Sequence, residues 1–587
     1  MGEYKQTSFS GGLNLLLDDT RLPVSFKYKE GDTPYDITYN QYRIGLNIRT
    51  RFDVAQPILK SAEDVTAPKG LKQGITTFGN YIIIFVAGNA YYRLNTSSSW
   101  TQITNFSMNS SAPRYWFVAV PLATTNYGRL ATALSGTPTV PQANLPVSQV
   151  NQVAGAFANL PGLLVQDNIT QPQFIYIDSN NTVQCRTTQT YSQWSYDPTG
   201  VNDKREYVPI GSFMEWYNGI LFIVAQDAVN IYRSVSGRPL DFVINVDLNG
   251  NAGGDATTTS YSVGVGGITA MRAMPGNMLL VAAGNSAMFS VTLNTTPNAP
   301  TIFGEYTFIR TFLFTSNCVS ERGIIDISGT PASPSSGDSV FIDANGLRSF
   351  NAIEYQQNEG RNSVFSATVA SLFSGVQQQP LLSSAIAFDN YAIFSVNTVF
   401  GYVLIVYDTI NGVYQSLDTT QLGNHAAKQM ASITVATLAL YAITDDDRVV
   451  QLYIAAPEAG TIRLGAVCSQ DPKKELKVIN FRAIMANITE DISVTATLFV
   501  NNRLDSSQTQ NISYVPAPNT YSGVAIGSDI GTQTNSLYFS FPNSAQGWKA
   551  FIVLTWTGGA VLNSTSITTQ DITPMQPLQT QAVIQQS

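Results

Sequence analysis

The chain has one histidine, His425, and three cysteines, Cys185, Cys318 and Cys468, in 587 residues. A Ser-His-Asp triad, a multi-histidine metal centre or a histidine acid/base pair would have to use that one side chain or do without. His425 lies in the polar stretch Leu422-Gly423-Asn424-His425 and is read as non-catalytic. The cysteines are far apart and show no Cys-x-x-Cys spacing, so neither a zinc site nor a disulfide framework is indicated. No apolar run approaches the roughly 20 residues of a membrane helix; the longest, such as Tyr81 to Ala87 and Tyr402 to Tyr407, are strand-length. Met1 to Thr20 lacks the basic region, apolar stretch and small-residue cleavage site of a signal peptide. No membrane segment is therefore expected, and the Asn-x-Ser/Thr triplets at Asn95, Asn168 and Asn487 are read as chance products of a Ser/Thr-rich chain.

Charge is also scarce. Asp, Glu, Lys and Arg make up 12% of the chain, about half the usual quarter. Neutral Ser, Thr, Asn and Gln must then cover most of the surface, and few ionised groups need stripping of water before a partner docks. Such a surface suits extensive subunit contacts. The 32 basic and 40 acidic residues leave a net charge of −8, which argues against a phosphate-gripping role, because nucleic-acid affinity comes mainly from Lys and Arg. A conduit through which DNA slides is different, since a neutral or acidic wall keeps the polyanion from sticking.

What the sequence does have is a repeated unit of apolar strand, tight Gly/Asn/Asp turn and second apolar strand. It runs Ile82–Phe85 into Tyr91–Leu94, Phe174–Ile177 into Val183–Arg186, Leu221–Val224 into Val229–Tyr232, and Leu279–Val281 into Met288–Val291. It continues as Val340–Ile342 into Leu347–Phe350, a looser pair Ala392–Val396 into Tyr402–Tyr407, and Tyr441–Ile443 into Val449–Tyr453. From the second hairpin on, the starts fall roughly 45 to 60 residues apart, the period of four-stranded propeller blades. The fold class expected is all-β: a β-propeller of six or seven blades with an extended N-terminal arm, an insertion and a C-terminal β-sandwich. A run of unrelated hairpins in a large sandwich is the alternative.

The boundaries follow from composition. Residues 1–80 are turn-rich, punctuated by Gly11-Gly12, Pro23, Gly31, Pro34 and Gly74; they are read as an arm that wraps other elements and leads into the first propeller strands. Residues 81–104 form a blade, and 105–165, rich in Ala, Pro, Thr and Asn, reads as an inserted loop region with a weak helix over Val150–Leu164. Blades fill 166–460. Over 461–571 longer alternating strands, among them Lys477–Met485, Ile492–Asn501, Leu537–Phe541 and Ala550–Trp556, mark a sandwich with one buried face per sheet. The Gln- and Pro-rich 572–587 reads as a mobile tail or docking strand.

Candidate chemistry is thin, and no catalytic residue, metal ligand or cofactor is assigned. Asp247-Leu248-Asn249-Gly250-Asn251, followed by Gly253, Gly254 and Asp255, resembles a calcium loop but lacks the terminal bidentate Glu and its spacing; a plain inter-strand loop is favoured. Asp445-Asp446-Asp447 is read as a hairpin turn, because Asp tolerates turn dihedrals. Neither sialidase-type Asp boxes nor a GxxxxGK[ST] loop occurs. Carboxylate pairs for glycoside hydrolysis stay open, since their separation is spatial.

Phe9-Ser10-Gly11-Gly12-Leu13-Asn14, and then Asn40-Gln41-Tyr42-Arg43-Ile44-Gly45-Leu46-Asn47-Ile48-Arg49-Thr50-Arg51-Phe52, together resemble the start of the tail nozzle proteins of short-tailed bacteriophages, also called tail tubular protein B. Tyr232 to Phe242, Gly266-Gly267-Ile268 to Leu279-Leu280-Val281, and Gly346 to Phe350 fit the same family in order and spacing. The family's Arg-Pro-Gly after Gly-Leu stands here as Arg51-Phe52-Asp53. The resemblance implies a structural virion protein of the tail: a hexameric ring below an adaptor ring and portal, near tail fibres or spikes, that retains the genome and passes double-stranded DNA at ejection. It also implies structural or interface roles for Phe9, Gly11, Gly12, Asn14, Asn40, Arg43, Gly45, Leu46, Arg49 and Arg51. Gly12 and Gly45 would permit close backbone approach or positive φ, and Arg43, Arg49 and Arg51 would fork onto carboxylates of a neighbour or a blade; the alternative is an exposed face of an edge strand. The competing function is a tail-associated glycan-binding or polysaccharide-degrading propeller using Trp194, Tyr196, Trp216 and Tyr217 as platforms. A peptide-binding host scaffold would need a Trp-Asp repeat that is lacking.

Overall fold

The computed structural model describes residues 2–6, 9–10, 12–13, 41–120 and most of 161–572; 14–40, 121–160, 240–257, 296–305, 351–364, 515–532 and 573–587 lie outside it. Strands dominate because short β-branched and aromatic runs alternate with residues that accept left-handed backbone. Ala87-Gly88, Asn218-Gly219 and Asp389-Asn390 have positive φ at both positions, the requirement of a two-residue turn whose twist matches its strands.

Among the described residues, seven antiparallel sheets of three or four strands follow one another in chain order, with a two-stranded ribbon of Gln193–Ser195 and Lys204–Glu206 between the second and third. Blade 1 is Lys72–Phe78, Tyr81–Val86, Asn89–Leu94 and Thr101–Gln102. Blade 2 is Trp116–Val120, Gly162–Gln166, Gln173–Ile177 and Val183–Thr187. Blade 3 is Gly211–Tyr217, Ile220–Ala225, Ile231–Arg233 and Thr258–Thr259. Blade 4 is Ile268–Met274, Met278–Ala283, Ala287–Thr295 and Tyr306–Phe314. Blade 5 has Ile324–Ile327, Asp338–Asp343 and Gly346–Ser349 among the described residues. Blade 6 is Ser384–Phe388, Tyr391–Thr398, Gly401–Asp408 and Val413–Asp418. Blade 7 is Ala427–Ile433, Ala439–Thr444 and Val449–Leu452, completed by Ala62–Glu63 from the arm.

The sheets close into a ring because the second strands of the blades, such as Tyr81–Val86 and Ile220–Ala225, are buried on both faces. Ile83 and Phe85 of blade 1 pack with Leu163, Val165 and Ile175 of blade 2, while Ile82 and Ile84 face Tyr441 and Ile443 of blade 7. The same alternation joins blades 2 and 3 through Phe174 and Leu221, 3 and 4 through Phe222 and Leu279, 4 and 5 through Leu280 and Phe341, 5 and 6 through Val340 and Phe394, and 6 and 7 through Ile393 and Leu440. Seven shared cores for seven sheets make a closed propeller. Each fully buried Ile, Leu or Phe contributes about 1.5–3 kcal/mol, so closure rests on these layers.

A second body follows. Glu475–Ile488, Gln533–Ser540 and Val561–Ile572 form one sheet, with Gly2–Gln6 paired to Thr565–Thr569 at its edge. Gly460–Arg463, Lys549–Trp556, Ile492–Val500 and Arg503–Tyr514 form the other. Phe481, Phe539, Leu498, Ile552 and Trp556 fill the space between them. The arm strand Ile44–Leu46 lies between blade 6, parallel to Leu417, and Thr461–Arg463, antiparallel, so one sheet runs from the propeller into the sandwich.

Two sequence readings need correction. The region 105–165 is not wholly an insertion: Trp116–Val120 and Gly162–Gln166 are the first two strands of blade 2, and Leu163-Leu164, given to a weak helix, is strand. The interval between the first two hairpins is long mainly because residues 121–160 separate the first two strands of blade 2; the pair recognised there is also its third and fourth strands, whereas in the other blades it is the second and third. The tail 573–587 and the loop Asp247 to Asp255 lie outside the described residues. No helix among the described residues is long and apolar enough to cross a membrane.

Candidate functional site

The arm residues converge on the junction of blade 6, blade 7 and the sandwich. Arg49 donates from Nη1 to Asp418 Oδ1 at 3.0 Å and from Nη2 to Oδ2 at 2.7 Å, with a further bond to Ser416 Oγ at 3.0 Å. Its guanidinium is stacked over the rings of Tyr391 and Tyr453 at 5.3 and 5.1 Å, and Tyr453 Oη donates to the same carboxylate at 2.7 Å. Burial alone would lower the Arg49 pKa, but the Asp418 charge outweighs it and holds the guanidinium above its ordinary range. Arg51 reaches Asp408 Oδ2 at 3.3 Å, donates to the carbonyls of Asp389 and Asn390, and lies 3.8 Å from the Tyr391 ring. Both carboxylates are fully buried, so each needs its cation.

Gly45 is a place of close approach: a Cβ there would lie 2.6 Å from Tyr42 Cε2 and 3.0 Å from the Gln415 carbonyl. Tyr42, fully buried, donates from Oη to that carbonyl and contacts Thr50 Oγ1. Leu46 pairs with Leu417 and Thr461, and the Arg43 N–H donates to the Arg463 carbonyl at 3.0 Å. Phe9 is buried in the core shared by blade 6 and the sandwich. Gly12 pairs with Gln41 in a short parallel ladder. Gly11, Asn14 and Asn40 lie outside the described residues. Tyr42, Asn47 and Thr50, absent from the sequence-stated set, belong to the same cluster: Asn47, at φ 55°, accepts from the Thr419 N–H at 3.0 Å, and the Thr50 N–H donates to Gln415 Oε1 at 3.1 Å. Asn47 was legible only as a residue tolerant of positive φ.

A second cluster, which the sequence reading missed, lies on the propeller axis. A cavity of about 210 Å³ is walled by inner-strand residues, among them Trp116, Phe213, Glu215 and Arg272, and by Glu321 and Arg322 of the turn ahead of blade 5. Arg322 donates to three backbone carbonyls, Gln73 at 3.3 Å, Tyr115 at 2.8 Å and Lys428 at 3.2 Å. Glu321 is shared by Arg114 at 3.2 Å and Arg322 at 3.7 Å. Burial pushes the Arg322 guanidinium down to about 9 against the pull of Glu321, and Arg114 adds to the fall. Burial raises the Glu215 carboxyl above its ordinary range, with Arg272 pulling it back. The only sequence signal was an opposite-charge pair, Glu321-Arg322, just ahead of an inner strand.

His425 contacts Asp445 from Nδ1 at 2.8 Å and Asp446 from Nε2 at 3.4 Å. Those carboxylates lie in a turn whose charges already have partners: Arg448 Nε donates to Asp446 at 2.6 Å and Lys428 Nζ to Asp447. Trp216 packs against the core between blades 2 and 3, and Tyr217 against that between blades 3 and 4. Tyr196 and the Trp194 side chain lie outside the described residues.

No protein-family model and no curated protein matches the chain. Three solved structures overlay on 67% of it. YCF48 bound to D1 peptide does so at 7% identity and TM-score 0.33, over 96% of that chain. The WD40 β-propeller domain of Doa1 gives 6% and 0.32, over 96% of its own length. The β-propeller domain of Myceliophteria thermophila Cps50 (Swd1) gives 9% and 0.26, over 100%. The propeller assignment stands on the seven sheets and their shared cores, not on these overlays.

Proposed function

We propose that the chain is a structural subunit of a short-tailed bacteriophage tail, a nozzle protein whose copies form a hexameric ring that retains the genome and passes double-stranded DNA at ejection. Its partners would be further copies of itself, an adaptor ring above and fibres or spikes beside it. The observation that carries the reading is where the residues behind the family resemblance lie: Tyr42, Gly45, Leu46, Arg49 and Arg51 bind propeller and sandwich together through buried ion pairs and one continuous sheet. A tail segment under internal pressure needs that rigidity.

Two further features support it. The propeller axis is crossed by Arg322 beside a cavity of about 210 Å³, so a DNA conduit would have to lie between copies. Low charge, 12% of residues, favours broad contacts among them. The glycan-platform alternative loses two of its four aromatics, since Trp216 and Tyr217 are packed between blades.

Electron microscopy of the purified protein, alone and mixed with tail components, tests the reading. Six-fold rings or short tubes are expected. A protein that stays monomeric and depolymerises host polysaccharide would overturn it in favour of the alternative.

A further inference from the structure

We propose that Arg322 is a spoke that holds the propeller ring closed from its axis. The side chain leaves the turn Glu321–Gly323 ahead of the inner strand of blade 5 and crosses to the opposite side of the ring. There it donates to the Gln73 carbonyl of blade 1, the Tyr115 carbonyl leading into blade 2 and the Lys428 carbonyl of blade 7. The acceptors are available for a structural reason. The ladder of blade 1 slips register between Lys72 and Gly74, and that of blade 7 between Ala427 and Gln429; a bulge turns a backbone group out of its ladder.

Blades 7 and 1 meet at the seam where a propeller must close. On the outside, closure is made by Ala62–Glu63, which pairs only two residues with blade 7. Across the seam, Gln429 Oε1 accepts from the Ile75 N–H at 3.1 Å. Arg322 adds a lock on the axis that touches both sides of the seam at once.

The guanidinium is kept there against desolvation, with one carboxylate, Glu321, divided between it and Arg114. Apolar side chains often replace buried ions without loss of stability. What a methionine cannot supply is several directional donors in one plane, and those are what a spoke requires.

Hydrogen exchange on the full chain, comparing wild type with R322M and R322K, tests this. In R322M, amide protection in Ile75–Ile84 of blade 1 and Met430–Tyr441 of blade 7 is expected to fall at least tenfold, while blades 3 and 4 keep theirs within twofold. R322K keeps the charge but loses the fork, and is expected to show the same selective opening to a smaller degree. It also remains readable if the methionine variant does not fold. Unchanged seam protection in R322K, or a loss spread evenly over all seven blades in either variant, overturns the proposal.

Discussion

Arg49 and Asp418 form a two-pronged ion pair across 369 residues of sequence, with Nη2 to Oδ2 at 2.7 Å and the carboxylate wholly out of solvent. The geometry binds the arm to the last strand of blade 6 beside the point where that sheet passes into the sandwich. Tyr453 and Ser416 satisfy what remains of the carboxylate, so the pair is part of a closed network rather than an isolated bridge.

Asp418→Asn is expected to leave a buried guanidinium without its counter-charge and cost about 3–5 kcal/mol. Arg49→Lys keeps the charge but makes one contact in place of the fork, at about 1–2 kcal/mol. Thermal and urea unfolding read both. A change below about 0.5 kcal/mol in the asparagine variant would show that the network carries no stability.

Seven hairpins were legible because their signals are local: Ile82–Phe85 and Tyr91–Leu94 announce themselves by apolar runs around Ala87-Gly88, whose left-handed backbone is a turn signature. Trp116–Val120 was not, because its partner Gly162–Gln166 lies beyond residues 121–160. Arg503–Tyr514 and Val561–Ile572 escaped notice for another reason. Their sequences are mostly Ser, Thr, Asn and Gln, and only pairing with apolar neighbours makes them strands. The arm residues could be singled out as a motif, but Asp418 and Asp408 could not be matched to Arg49 and Arg51 without the sheet that brings them together. The axial cluster was hidden in the same way, since Arg322 finds its acceptors on backbone that any sequence would supply.

Gly211→Ala tests the fit of the first two strands of blade 3, where the inner strand also meets blade 2. A Cβ there would lie 2.1 Å from the Val224 carbonyl oxygen, a backbone atom that cannot rotate away. The Gly211 N–H also donates to Gln166 Oε1 of blade 2. The strain is expected to cost about 1–3 kcal/mol, read as a lower unfolding midpoint. An unchanged midpoint would mean that the inner strand shifts freely, against its shared core.

The cluster of His425, Asp445 and Asp446 brings its ligand atoms within 4.8 Å of one another. Asp446, however, already accepts from Arg448 Nε and Thr444 Oγ1, and a cation would have to displace them. Zinc, calcium or a chelator is therefore expected to leave the melting temperature unchanged. A rise of several degrees with one of these metals, abolished in Asp446→Asn, would establish a metal site.

Alkaline pH should unfold the protein through its buried acids. Burial pushes the Cys185 thiol up from 9.0 to about 12 and raises Cys318 likewise. Burial likewise lifts Tyr42, Tyr115, Tyr407, Tyr414 and Tyr453 above the ordinary 10.0. A group whose folded pKa lies above its unfolded value holds protons in the native state that the unfolded chain releases. Its stabilisation is complete below the unfolded value and is lost as pH rises towards the folded one, about 1.4 kcal/mol per pH unit and group. Arg322 acts in the opposite sense, because its folded pKa of about 9 lies below the ordinary 12.5, and it gains stability over that interval. Lys72, which burial also lowers, acts in the same sense, and these two groups are outweighed by two thiols and five phenols. The melting temperature is expected to be level to about pH 9, where the thiols begin to count, and to fall more steeply beyond about pH 10. Replacing Cys185 and Cys318 with alanine should move the first decline from about pH 9 to about pH 10. A wild-type melting temperature that stays level to pH 11 would mean that these side chains ionise where they are, without opening the cores that bury them.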